Sequence, residues 1–170
     1  MTKEQFNGIV LRYHEPVISV VYKMVFSWEV ARDLAQDTFC RFWNYQKQID
    51  LTKPVFTLLY KIAMNIAIDY LRKQRSGIVH EFEENLAWNN ENDEDIEFQE
   101  LVFKCSKVLQ PKQRAIFVLR DLEGMTFEEI SLIMKSSIGN IRSNLHLARK
   151  NIKRILFEKY QITEEYFNDL

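Results

Sequence analysis

Residues that break helices are scarce in this chain. Glycine occurs 4 times and proline 3 times in 170 residues, too few for the many tight turns of a sheet-rich protein. That scarcity predicts an all-α chain of long helices with short connections. Cysteine is nearly absent as well. Cys40 and Cys105 stand alone, without CxxC or Cys/His spacing, which excludes a disulfide framework or a zinc site and predicts two buried free thiols. No apolar run approaches the ~20 residues of a bilayer-spanning helix. The opening MTKEQFNGIV lacks the basic and apolar segments of a secretory signal, so a cytoplasmic location without membrane insertion is expected. Phosphate-cradling GxxxxGK[ST] and GxGxxG loops are missing, and His14, His80 and His146 lie in different segments without metal-ligand spacing. No enzyme, metal or cofactor is therefore expected. What is present is 46% hydrophobic residues, enough to exclude a disordered chain.

Basic charge is also missing, but only locally. The overall formal charge is -1, yet residues 77–100 (GIVHEFEENLAWNNENDEDIEFQE) hold 9 Asp/Glu and no Lys/Arg. Residues 1–76 carry 11 basic side chains against 7 acidic, and residues 101–157 carry 11 against 4. Two basic blocks thus flank an acidic strip. Basic blocks attract polyanions, nucleic acid foremost. The strip breaks the hydrophobic periodicity and reads as a linker, leaving two small helical domains at 1–76 and 101–170.

Within the first block, Phe6, Ile9, Val10, Tyr13, Val17, Val20, Val21 and Met24 recur at helical spacing, with a kink possible at Pro16. Ser27 caps a second helix with Ala31, Leu34, Ala35, Thr38, Phe39 and Phe42 on its inner face. A polar connection, Gln46–Lys53, leads to Pro54 at the first position of a third helix, with Leu58, Leu59, Ile62, Ala63, Ile66 and Tyr70 inward. In the second block one helix runs through Leu101–Leu109, and another runs from Pro111 to near Gly124. Thr126-Phe-Glu-Glu129 is a capping box opening a short helix. KSSIG forms a turn, and a long helix follows from about Ile138, with Ile141, Leu145, Ala148, Ile152 and Ile155 inward.

A short helix, a tight turn and a longer helix with a polar, basic outer face make a helix-turn-helix. Its second helix fits the DNA major groove, where Arg142, Ser143, Asn144 and His146 can meet base edges or nearby phosphates and Arg149 and Lys150 face the backbone. The third helix interleaves Phe56 and Tyr60 with Asn65, Asp69, Arg72, Lys73 and Arg75. Such a mixture suits single-stranded nucleic acid. On the residues alone, aromatics in a core and a basic end complementing the helix dipole are the favoured reading.

Four stretches occur in order: DLAQDTFCRFW (33–43), LLYKIAMNIAIDYLRKQR (58–75), LQPKQRAIFVLRDLEGMTFEEIS (109–131) and GNIRSNLHLARKNIKRIL (139–156). Together they resemble a bacterial RNA polymerase sigma factor of the extracytoplasmic-function type, over nearly the whole chain. The resemblance implies a promoter-specificity subunit acting with core RNA polymerase on promoter DNA. It assigns Asp33, Gln36, Asp37 and Arg41 to core polymerase. It assigns Phe56, in or beside the loop from Gln48 to Thr57, together with Asn65, Arg72, Lys73 and Arg75, to the minus-ten element. It assigns Arg120, Arg142, Ser143, Asn144, His146, Arg149 and Lys150 to the minus-thirty-five element. Such factors are commonly held by an anti-sigma protein, though no residue here identifies one.

There are departures. Leu58 stands where the family often has Trp, and Asn144 and Leu147 where it often has basic residues. Fewer cations on the recognition helix imply a weaker phosphate grip and a shallower salt dependence. The 24-residue linker reaches at most ~80 Å extended, enough for family promoter elements ~50–55 Å apart. The rival reading is a stand-alone helix-turn-helix regulator, which predicts dimers on a palindromic site and leaves residues 28–75 without a role.

Overall fold

The computed structural model describes residues 1–45, 54–77 and 98–162. All regular structure among them is helical. The first half contains α1 (Lys3–Val25), α2 (Trp28–Asn44) and α3 (Val55–Gly77). The second contains α4 (Phe98–Cys105), α5 (Pro111–Phe117), α6 (Phe127–Met134) and α7 (Ile138–Tyr160). The connection Gln46–Lys53 and most of the acidic strip lie outside the described residues. Helix α4, Phe98–Cys105, includes the last three residues of the strip expected to be linker.

The helix starts follow from their caps. Thr2 and Gln5 form a capping box at α1, and the Ser27 hydroxyl accepts from Val30 N at α2. Helix α1 passes through Pro16 as a single helix. Helices α1, α2 and α3 pack on one another around Val17, Val20, Val21, Met24, Ala35, Phe42, Leu59 and Ala63, all fully buried. Burying one such large side chain contributes about 1.5–3 kcal/mol. Thr38 sits in this core with its hydroxyl donating to Leu34 O at 2.8 Å, so that hydroxyl is not stranded.

In the second half, α4 and α5 pack against α7, and α6 packs against α7 around Ile130, Ile133, Ile141, Leu145 and Ala148. After α5 the backbone widens into a π turn, Val118–Leu122, with Glu123 N donating to Val118 O at 2.9 Å. Gly124, at φ +70, closes that turn in the left-handed region where a side chain is strained.

The halves do not stand apart. Helix α3 packs against α5 and α6, and α1 meets α5 and the π turn. Arg114, 5% exposed, reaches from α5 to donate to Met24 O at 2.7 Å, to Ser106 O at 3.1 Å and to Lys107 O. Arg75, at the end of α3, donates to Gln110 Oε1 at 2.6 Å, to Leu109 O at 2.9 Å and to Val108 O at 3.3 Å. Lys23 Nζ pairs with Glu123 Oε1 at 2.6 Å. Phe26 ends α1 at φ 59, a strained conformation for a bulky residue. Its ring stacks on Phe103 at 4.6 Å and carries the Lys107 ammonium at 4.9 Å, both from the other half. That packing offsets the strain.

Candidate polymerase and promoter interface

Helix α2 turns Asp33, Gln36, Asp37 and Arg41 outward at i, i+3, i+4 and i+8 spacing, all exposed. Its opposite face, with Phe39 and Phe42, is buried, and Trp43 is half-buried against Phe6 at 4.8 Å. One charged stripe is therefore fixed on a rigid backing. Between α1 and α2 runs an open groove of about 880 Å³ lined by Phe6, Val10, Gln36, Phe39, Cys40 and Trp43. Cys40 is exposed there, against the expectation of two buried thiols. Position 40 falls just off the buried stripe of Ala31, Ala35, Thr38, Phe39 and Phe42. Cys105 is buried, and burial pushes its thiol pKa up to about 11.

Helix α3 separates its inner and outer residues clearly. Leu59, Ile62, Ala63 and Ile66 are buried, and Asn65, Asp69, Arg72 and Lys73 are exposed. Phe56 is half-buried, its ring edge-on to Tyr60 at 6.3 Å. Tyr60 is core, its phenol pushed up to about 12 by burial first and then by Glu123 and Tyr13. Arg72 pairs with Asp69 at 3.6 Å, an exposed i,i+3 contact of little energetic weight. Arg75 is the exception on this helix, being committed to the other half.

The helix-turn-helix is built as its capping residues dictate. Thr126 Oγ1 accepts from Glu129 N at 3.2 Å, and Glu129 Oε2 accepts from Thr126 N at 2.8 Å. Lys135 ends α6 in the left-handed region, at φ 47. The Ser131 hydroxyl then ties Ser136 O at 2.7 Å, and Ser137 caps α7 through Asn140 N. Across this turn Lys135 lies beside Lys61 of α3. Burial, and then the hydrogen bond and charge of Lys135, push the Lys61 pKa down.

The outer face of α7 presents Arg142, Ser143, His146 and Lys150 exposed, with Asn144 half-exposed. Two other arginines expected at DNA have partners within the protein. Arg149 makes a two-pronged pair with Asp121, at 2.9 and 2.6 Å, which pushes the Arg149 pKa up. Arg120 donates to Met125 O at 2.6 Å and lies over the Phe127 ring at 4.7 Å. The Arg142 guanidinium lies over the same ring at 5.0 Å. Phe127 and Asp121 were not singled out in the sequence. A Phe inside a capping box reads as core, and only the π turn swings Asp121 toward α7.

Among the described residues no group of three His, Cys, Asp or Glu is placed to hold a metal ion. No described helix is long and apolar enough to cross a membrane.

The family model for sigma-70 region 2 matches residues 9–77, and the one for sigma-70 region 4 matches residues 100–152. The ECF RNA polymerase sigma-E factor of Escherichia coli (strain K12) is 31% identical over 164 residues, spanning 88% of this chain and 85% of that one. The sigma-E factor of Salmonella typhimurium (strain LT2) gives the same identity and coverage. The RNA polymerase sigma-H factor of Pseudomonas aeruginosa is 27% identical over 91% of this chain and 87% of its own. Two solved structures share the fold at lower identity. The Bartonella quintana sigma factor RpoE, in complex with the anti-sigma factor NepR, has a TM-score of 0.67 at 20% identity, covering 92% of this chain and 99% of that one. CnrH, in complex with the cytosolic domain of CnrY, has a TM-score of 0.69 at 19% identity, covering 93% and 91%. The α2–α3 unit and the helix-turn-helix fall within the two matched regions, and the chain belongs to the extracytoplasmic-function sigma factors of the sigma-70 family, which serve RNA polymerase in transcription initiation.

Proposed function

We propose that the chain confers promoter specificity by dividing the work among three helical faces. The observation that carries this is one chain holding a rigidly backed charged stripe on α2, a polar stripe on α3 and a polar recognition helix. Asp33, Gln36, Asp37 and Arg41 engage core RNA polymerase, whose company makes the cytoplasm the place of action. Asn65, Arg72 and Lys73, with Phe56 at the start of α3, meet the melted minus-ten strand. Arg142, Ser143, Asn144, His146 and Lys150 meet the minus-thirty-five duplex. Arg120 and Arg149 brace this face from behind, because their intramolecular bonds would have to be exchanged for direct contact. An anti-sigma protein, the partner of the Bartonella quintana neighbour, is the expected antagonist.

No step needs catalysis by the chain. Opening base pairs costs a few kcal/mol, offset by holding unstacked bases against protein. The reading does require the halves to part. Packed helices lie about 8–10 Å apart, and α3 packs directly on α6. Elements ~50–55 Å apart on a promoter cannot both be reached in that arrangement. Opening releases Arg75 from Gln110 and the carbonyls of Val108 and Leu109, freeing it for the minus-ten strand.

The test mixes purified chain with sigma-free core polymerase, then transcribes a genomic promoter library. Co-elution, with start sites behind one bipartite motif, is the expected result. Tight unaided binding to a palindromic duplex without polymerase association would establish the stand-alone regulator instead.

A further inference from the structure

Early in α7 two side chains direct their donor groups into their own helix. The Asn144 amide nitrogen lies 2.8 Å from Asn140 O and 2.8 Å from Asn140 Oδ1. The Asn140 amide nitrogen in turn donates to Ser136 Oγ at 2.7 Å. The Ser143 hydroxyl donates to Gly139 O at 3.0 Å. The orientation of the Asn144 amide is enforced, because a backbone carbonyl only accepts. Reversing that amide sets Oδ1 against Asn140 O. What Ser143 and Asn144 offer outward is then acceptors alone: the Asn144 Oδ1 and the Ser143 lone pairs. Donors on this face come from other residues, Arg142, His146 and Lys150 among them.

In the major groove the only hydrogen-bond donors are the exocyclic amines, N6 of adenine and N4 of cytosine. Guanine and thymine offer acceptors there, and an acceptor facing an acceptor is left desolvated and unpaired. We infer that Ser143 and Asn144 form an acceptor pair that selects amino bases, adenine or cytosine, over keto bases on the strand they touch. This deepens the assignment of α7 to the upstream element and rests on it. It makes a readout distinct from the bidentate arginine–guanine contact, which Arg142 remains able to make.

The experiment uses holoenzyme assembled from the full chain and core polymerase, on promoters randomised across the upstream element. Wild type should enrich adenine or cytosine at one or two adjacent positions of one strand. At such a position, purine in place of adenine, or 2-pyrimidinone in place of cytosine, removes only the amine and should lower initiation roughly tenfold, the size of one lost base contact. Asn144→Leu, close in shape but without an acceptor, should abolish the preference at one position. Asn144→Arg should convert that position to guanine, a gain that a misfolded protein cannot mimic, and Ser143→Ala should relax the adjacent position. An upstream motif whose amino-base preference survives Asn144→Leu, or that holds guanine where Asn144→Arg causes no change, would overturn the inference while leaving α7 as the upstream reader. Enrichment of no upstream motif would overturn both.

Discussion

Arg114 carries a full charge into a nearly closed site and satisfies it with three backbone carbonyls, Met24, Ser106 and Lys107. Burial first, and the nearby Arg75 charge second, push its pKa down to about 10. Truncation to Ala orphans three acceptors at once. It should cost about 3 kcal/mol, read from urea denaturation, and Arg114→Lys should recover little because an ammonium lacks the planar fork. A wild-type midpoint in Arg114→Ala would show the fork to be dispensable. Cys105 supports a pH prediction. Its thiol rises from the usual 9.0 to about 11 in the folded chain, so the folded state keeps a proton that the unfolded state releases. This stability is intact below pH 9 and is lost as pH climbs toward 11. Tyr60 acts in the same direction only above pH 10, and Arg114 in the opposite one. Between pH 9 and 10, Cys105→Ala should flatten the decline in denaturation midpoint, and an unchanged slope would exclude the thiol. Nothing about the two cysteines in isolation separates them. Helical phase does, placing Cys105 on the inner stripe of α4 and Cys40 one step off that of α2.

Helices were legible where local chemistry decides them. The Thr126–Glu129 capping box and the Ser27 cap set their helix starts without help from the fold. Thr126→Ala should therefore cost about 1 kcal/mol and lower the melting temperature by about 2–4 °C. The π turn was not legible. It depends on Gly124 and on how Val118 and Leu119 are buried, and nothing in their spacing announces a widened ladder. Its product, the Asp121–Arg149 pair with Asp121 at 10% exposure, ties the turn to the middle of α7. Asp121→Asn keeps the shape and removes the charge. We expect weaker binding of the minus-thirty-five duplex, by several-fold, with unaltered association with core polymerase. Equal losses in both assays would instead indicate general unfolding.

At the scale of the whole molecule, two domains were readable from charge and periodicity, but their embrace was not. Arg75 at the end of α3 and Gln110 before α5 are separated in sequence by the acidic strip, and neither carries a mark of the other. Joined halves of a 170-residue chain should scatter with a radius of gyration near ~16 Å. The double variant Lys23→Glu, Arg75→Glu places like charge against Glu123 and removes the α3 clasp. It should raise that radius in solution scattering while leaving helical content intact. An unchanged radius would mean that apolar packing alone holds the halves together.

The left-handed Phe26 makes that closure conditional. Its ring is seated only while Phe103 and Lys107 are near, so separation leaves a strained residue with nothing to repay the strain. If promoter binding requires the parted halves proposed above, it draws only on the open fraction of the chains. If about 1% of free chains are open, an affinity measured on isolated DNA understates the intrinsic one about a hundredfold. Core polymerase that holds the halves apart would lift this restriction without touching a base.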